Sequence, residues 1–174
     1  MKGSKGRGKA ILLGLAVFVL DFVSKLWTHA YIPPMNSETL WYPYGGIGVF
    51  ENFYGIEFSI SHAVNYGAAW SLFSEHQDYL MVFRILFVAA ITVYALFLNK
   101  NRRWDMPLAL VVSGAISNIV DYFIYGHVVD MFHFVFWSYD YPVFNVADSA
   151  ICIGILWLFL LSFCNDKKKK KQRA

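Results

Sequence analysis

Asp130 and Asp148 are the residues of this chain best suited to chemistry. Asp130 closes the run Gly126-His127-Val128-Val129-Asp130. Asp148 closes Phe144-Asn145-Val146-Ala147-Asp148 and opens an apolar stretch that reaches Cys164. A carboxylate near lipid is costly, about 2.5–3.5 kcal/mol at the centre of a membrane span. Two of them at the same end of adjacent spans therefore suggest a shared task. Neighbouring carboxylates in a low-dielectric site cannot both ionise easily, so they share a proton and divide the acid and base roles. Such a pair can activate water and protonate a leaving group without a metal or a nucleophilic side chain.

Each aspartate also has a plainer reading. Asn145, three residues before Asp148, has the spacing of a helix N-terminus, with Asn145 as cap and Asp148 complementing the helix dipole. Asp130 taken alone reads as an interfacial carboxylate facing water. Their joint placement weighs against the plain readings. Only 17 residues separate them, the segment from Gly126 to Tyr141 holds no Lys or Arg, and Asp21, Lys25, Asn65 and Asn118 could converge at a similar depth.

The elements that must position these groups follow from hydropathy and charge. The chain has 174 residues, 57% hydrophobic and 19% aromatic, with a mean hydropathy of +0.44. An ordinary soluble domain is about 45–50% apolar. A bilayer core of ~30 Å takes ~20 helical residues, and four segments qualify: about 10–31, 79–98, 106–125 and 147–164. The expected fold class is an all-α membrane protein with four transmembrane helices, forming one integral-membrane domain over residues 1–174. Thirteen of the 15 Lys and Arg residues precede the first span, join spans two and three, or follow the fourth. With four spans these segments share one side, which the positive-inside rule makes the cytoplasm. The loops of about 32–78 and 126–146 then face outward, and both termini are cytoplasmic. The basic tail Lys167–Lys171 reads as an anchor on anionic lipid rather than a nucleic-acid site. The basic N-terminus followed by an apolar run is expected to stay as a span, because Asp21 and Lys25 interrupt the run and no small-residue cleavage site follows.

Along the chain, Asp21 and Lys25 form an i,i+4 pair, and Lys25 could also snorkel outward. Pro33-Pro34 ends the first helix. Phe53, Ile56, Phe58 and Ile60 partly alternate with polar residues, which predicts short strands, a small β-rich surface sheet in the outward loop. Small residues at 113, 114 and 117 allow close helix approach, and Asn118 and Asp121 share a face. Cys152 and Cys164 lie ~18 Å apart on one predicted helix and cannot bridge. No metal-ligand spacing is present, the five histidines are expected to form no ligand set, and His127 reads as interfacial. There is no Gly-x-Ser-x-Gly, His-Glu-x-x-His or Gly-x-Gly-Asp motif, and Ser24 points away from Lys25 on the helix, which removes a Ser-Lys dyad.

The chain resembles the lipoprotein signal peptidases, also called signal peptidase II. Five blocks carry the resemblance in the family's order: Asp21-x-x-x-Lys25, Asn65-x-Gly67-Ala68-Ala69-Trp70, Gly114-x-x-x-Asn118-x-x-Asp121, Gly126-x-Val128-Val129-Asp130 and Phe144-Asn145-x-Ala147-Asp148. The resemblance implies an aspartic endopeptidase of the bacterial inner membrane. It would act without cofactor or metal near the outer, periplasmic face, and is expected to be a monomer. Its partners would be prolipoproteins bearing a diacylglyceryl-cysteine, cut just before that cysteine, and membrane lipids, with no nucleic acid. The family's catalytic dyad falls on Asp130 and Asp148. Its substrate-contacting or site-supporting positions fall on Asp21, Lys25, Asn65, Gly67, Asn118, Asp121, Asn145 and Ala147. The family's outer sheet, which cradles substrate, matches the β-rich segment. Two departures stand out: Tyr122 where Arg is usual, and Ser117 where Gly is usual. The rival class is a proton-coupled transporter or small lipid-binding membrane protein, since intramembrane aspartates serve proton relays too. Four short spans without a repeat leave little room for alternating access.

Overall fold

The computed structural model describes residues 4–67 and 77–171, with no account of side chains 4–5 and 165–171. Among the described residues, four helices are long and apolar enough to cross a membrane. Helix α1 (Ser4–Tyr31) begins a turn and a half before the expected span and stops two residues short of Pro33, whose ring disfavours helix in the residue before it. Helix α2 (Gln77–Val93) continues as a π-turn over Tyr94–Leu98, and α3 (Asp105–Tyr125) follows a 3-10 turn at Arg102–Trp104. Helix α4 (Val146–Lys171) runs past the expected end at 164 into the lysine tail.

The burial pattern is inverted relative to a soluble bundle. On α1 the fully buried residues Asp21, Lys25 and Thr28 form one polar stripe at i, i+4, i+7, while Leu12, Leu15, Leu20 and Val23 are exposed. In lipid the apolar residues need no cover, and helices associate through polar groups and close packing. Helix α3 is the hub, packing on α1, α2 and α4, whereas α2 and α4 make little contact with each other. Its closest approach is to α4. A Cβ on Gly114 would lie 2.5 Å from the Ala147 carbonyl oxygen, and one on Gly154 would lie 2.7 Å from that of Pro107.

Outside the helices lies a four-stranded antiparallel sheet in the order β1 (Ile47–Phe53), β2 (Ile56–Asn65), β3 (Val128–Phe136), β4 (Tyr139–Asp140). Strand β1 is exposed along its whole length, whereas β2 matches the alternation in the sequence. Strand β3, within a segment read as a loop, does not: Val128 to Met131 are all buried, so the period-2 pattern emerges only at Phe132, Phe134 and Phe136. Gly126, in the left-handed conformation at φ 77°, ends α3 and turns the chain into β3. One sheet face carries half-exposed Phe58, Phe132, Phe134 and Phe136, with Phe58 stacked on Phe134 at 4.2 Å. The other face holds buried Ser59, Ser61 and His133 under Tyr44, whose ring lies 4.3 Å from that of His133. Polar groups inside and aromatics outside suit a sheet resting on a membrane.

Candidate active site

Register decides which side chains meet. Ile60 pairs with Phe132 but Ala63 pairs with Asp130, so β2 carries one extra residue, a bulge at Ser61–His62. The bulge flips the parity of the strand. Asn65, opposite Val128, therefore lies on the same face as Asp130 and donates from Nδ2 to Asp130 Oδ2 at 3.0 Å. Without it, Asn65 would face away.

At the start of α4, Asn145 caps as its spacing predicts. Its Oδ1 accepts from the Asp148 N–H at 2.8 Å, and the Asn145 N–H faces the Asp148 carboxylate in return. The same side chain reaches the other aspartate, since Nδ2 donates to Asp130 Oδ1 at 2.6 Å. From α3, Asn118 Nδ2 donates to Asp148 Oδ1 at 2.8 Å. An asparagine amide can present either its oxygen or its nitrogen, and the surrounding bonds decide which. Here each Oδ1 is held by a donor: Asn65 by the Gly67 N–H (2.9 Å), Asn118 by the Lys25 ammonium (2.8 Å), Asn145 by the Asp148 N–H. Each amide is thus compelled to turn an N–H toward a carboxylate.

Behind the amides sits Lys25, fully buried and turned inward rather than snorkelling. Its Nζ lies 2.6 Å from Asp21 Oδ2 and 2.6 Å from Asp121 Oδ2. Asp21 also accepts from the Ser117 hydroxyl at 2.6 Å and the Ala147 N–H at 2.7 Å, tying α1 to α3 and to the first turn of α4. Asp121 accepts from the Val129 N–H at 3.4 Å, one residue before Asp130. Ser117 thus supplies a hydroxyl to this network.

Asp130 is 2% exposed. Burial, and after it the neighbouring Asp148 charge, pushes its carboxyl up to about 7, so the pair holds a shared proton near neutral pH. Asp148 is half-buried and lines two cavities. One, of about 270 Å³, lies between α2, α3 and α4 and has apolar walls broken by Asn118, Arg84 and Asp148. The other, about 330 Å³, lies beside Tyr141, Phe144 and Cys152. A third, apolar cavity of about 350 Å³ between α1 and α3 contains neither aspartate.

All ten residues expected at the site fall in or directly behind this cluster. Ala68, Ala69 and Trp70 lie outside the described residues. Arg84 was not singled out by the sequence: from α2 it donates to the Gly67 carbonyl at 2.6 Å and lines the same cavity as Asp148. A cation within a span was the available signal. Tyr122 bonds Asp78 at 2.7 Å on the surface and does not enter the cluster. His29, His62 and His127, expected to form no ligand set, are brought together by the fold, with one ring nitrogen of each within 4.8 Å of the others.

A model of the family described as "Signal peptidase (SPase) II" matches residues 13–164. The chain belongs to the signal peptidase II family. It is 40% identical over 176 residues to the lipoprotein signal peptidase of Haemophilus influenzae strain Rd, covering 98% of this chain and 95% of the relative. It is 35% identical over 166 residues to that of Actinobacillus succinogenes, covering 92% and 93%. Two solved bacterial membrane enzymes share the fold. One has a TM-score of 0.77 at 24% identity, covering 93% of this chain and 92% of the other, and the second 0.69 at 25%, covering 88% and 92%. With four helices long and apolar enough to cross a membrane and membrane enzymes as structural neighbours, the chain is a multi-pass membrane protein.

Proposed function

We propose that this signal peptidase II family member removes signal peptides from prolipoproteins, with Asp130 and Asp148 as the catalytic pair. The observation that carries the reading is the set of three asparagines, each locked by a donor at its oxygen so that it directs an N–H to one of the two carboxylates. A proton relay in a transporter must change its partners as it loads and unloads. Amides pinned on the far side favour a fixed hydrolytic pair instead.

In this reading residues 1–174 work as one monomeric peptidase domain in the bacterial inner membrane. Both termini lie in the cytoplasm, as the basic segments indicate, and the sheet and the aspartates lie at the outer face. A signal peptide enters the membrane as a helix, with its amides hidden. The gap between α2 and α4, floored by α3, accepts it, and the apolar cavity beside Asp148 takes the residues next to the scissile bond. The diacylglyceryl chains of the substrate cysteine stay in surrounding lipid, and cleavage falls just before that cysteine. The exposed aromatic sheet face, continuous with Asp130, receives the chain beyond the cut.

The ionised member of the pair takes a proton from water as the water oxygen attacks the scissile carbonyl. The protonated member gives its proton to the carbonyl oxygen. As the tetrahedral intermediate collapses, the C–N bond breaks and the amine leaves with a proton returned from the pair. A hydroxyl of the intermediate gives its proton to the other carboxylate as the new carbonyl forms, so the pair regains its single shared proton.

The test is cleavage of a diacylglyceryl-modified prolipoprotein by purified protein in detergent or lipid, beside Asp130→Asn and Asp148→Asn. Cleavage before the lipidated cysteine, lost by a factor of about 10² or more in both folded variants, is expected. Robust cleavage by either variant removes that aspartate from the chemistry. No cleavage by the unaltered folded protein returns weight to the relay.

A further inference from the structure

Three histidines take no part in the peptidase reading. His29 lies in the last turn of α1, His62 in the bulge of β2, and His127 in the turn between α3 and β3. One ring nitrogen from each lies within 4.8 Å of the other two. His62 Nδ1 is 2.8 Å from the Ile32 carbonyl. A carbonyl only accepts, so Nδ1 carries the hydrogen and Nε2 presents a lone pair. His62 is 2% exposed and that Nε2 has no hydrogen-bond partner among the described residues. Nε2 of His127 is likewise buried without a partner among the described residues, while the ring bonds the Tyr125 backbone. Holding one imidazole nitrogen by a backbone carbonyl, with the other left bare, is the arrangement that orients a metal-binding histidine.

We propose that His29, His62 and His127 form a binding site for a divalent transition-metal ion, best suited to Zn²⁺. Three neutral imidazoles favour Zn²⁺, Cu²⁺ or Ni²⁺ and disfavour Mg²⁺ and Ca²⁺, which want oxygen. Tetrahedral Zn–N bonds of about 2.0–2.1 Å set the nitrogens about 3.4 Å apart. The rings must therefore draw inward, and exposed His29, whose ring packs 4.4 Å from that of Tyr125, would supply the movement. Water completes the fourth position. Such an ion staples α1 to the two strands that hold Asn65 and Asp130, since His62 and His127 each stand three residues before one of them. It is a structural clamp, and the site stands whether or not the peptidase reading does.

The test uses the full chain, purified without a histidine tag in detergent and stripped by chelator. Zn²⁺ is titrated in competition with a chromophoric chelator, and Co²⁺ is followed by its visible absorption. One ion per chain with micromolar or tighter affinity is expected, with a rise in Tm on Zn²⁺ and none on Mg²⁺. His29→Ala, at an exposed position, should weaken binding by about tenfold or more, on the scale of a lost site interaction. His133→Gln, on the other face of the sheet against Asp140, should leave binding unchanged. His62→Gln should abolish it, and if that variant does not fold, His29→Ala with His127→Ala decides. Absence of saturable binding, or stoichiometric binding that survives in the His29→Ala/His127→Ala double variant, overturns the proposal and leaves the cluster as ring packing.

Discussion

Replacing Lys25 with methionine removes the one cation buried between Asp21 and Asp121 while keeping much of its volume. Each ion pair is 2.6 Å long. At an effective dielectric of about 20, that is about 6 kcal/mol of gross attraction per pair. Desolvation of the ammonium and repulsion between the carboxylates offset most of the sum, and breaking a buried pair by deleting one partner typically costs about 3–5 kcal/mol. We expect Lys25→Met to lose that much stability, a large share of the ~5–15 kcal/mol available to a domain. Activity should fall further than unfolding explains, because Asn118 loses the shorter of the two donors to its oxygen, keeps only Asn145 Nδ2 at 3.3 Å, and is held less firmly against a flip toward Asp148. Displacing a positioned group commonly costs about 10²-fold in rate. The assay is thermal unfolding in detergent beside prolipoprotein cleavage. A second variant, Lys25→Met with Asp121→Asn, leaves only Asp21 charged, and Asp21 still keeps Ser117 and the Ala147 N–H. It should be more stable than Lys25→Met alone, a non-additive result expected of groups in one network. A loss below about 1 kcal/mol for Lys25→Met, the range of a surface pair, would refute the reasoning. So would strict additivity in the double variant.

The pH profile of kcat/KM should be bell-shaped, with its alkaline limb near the value of about 7 to which burial and Asp148 raise Asp130. The stability linkage has a definite sign. The unfolded Asp130 titrates near ~3.9, so between about 4 and 7 the folded state holds the extra proton, and stability falls as pH rises through that window. Asp130→Asn should remove this contribution, which unfolding at a series of pH values measures. Gly114→Leu forces atoms into the 2.5 Å approach of the Ala147 carbonyl. It should cost about 1–3 kcal/mol by overpacking and lower cleavage by separating Asn118 from Asp148, both readable in one preparation. Arg84→Ala frees the Gly67 carbonyl and with it the segment that orients Asn65. Cleavage kinetics should show a drop of about tenfold or more in kcat/KM, the scale of a lost charge-assisted hydrogen bond, with Tm nearly unchanged.

What the sequence made legible was what it encodes locally. Apolar runs and basic flanks are one-dimensional features, so the four spans could be read directly, and Asn145 before Asp148 announced a cap that the structure contains. The rest depends on pairings that no local window holds. Lys25 looked like a partner of Asp21 or a snorkelling side chain, because Asp121 and Asn118 reach it only when α3 packs on α1. Strand β3 was hidden because its first four residues are buried on both faces, and full burial erases the alternation by which a strand is recognised. The bulge in β2 is the clearest case. One extra residue brings Asn65 to the face of Asp130 and sends His62 inward, where it meets His29 and His127. A one-residue change of register exchanges the two faces of a strand. The same irregularity thus sets both the amide contact to Asp130 and the histidine cluster, and a deletion at Ser61 that straightens the strand should lose both together.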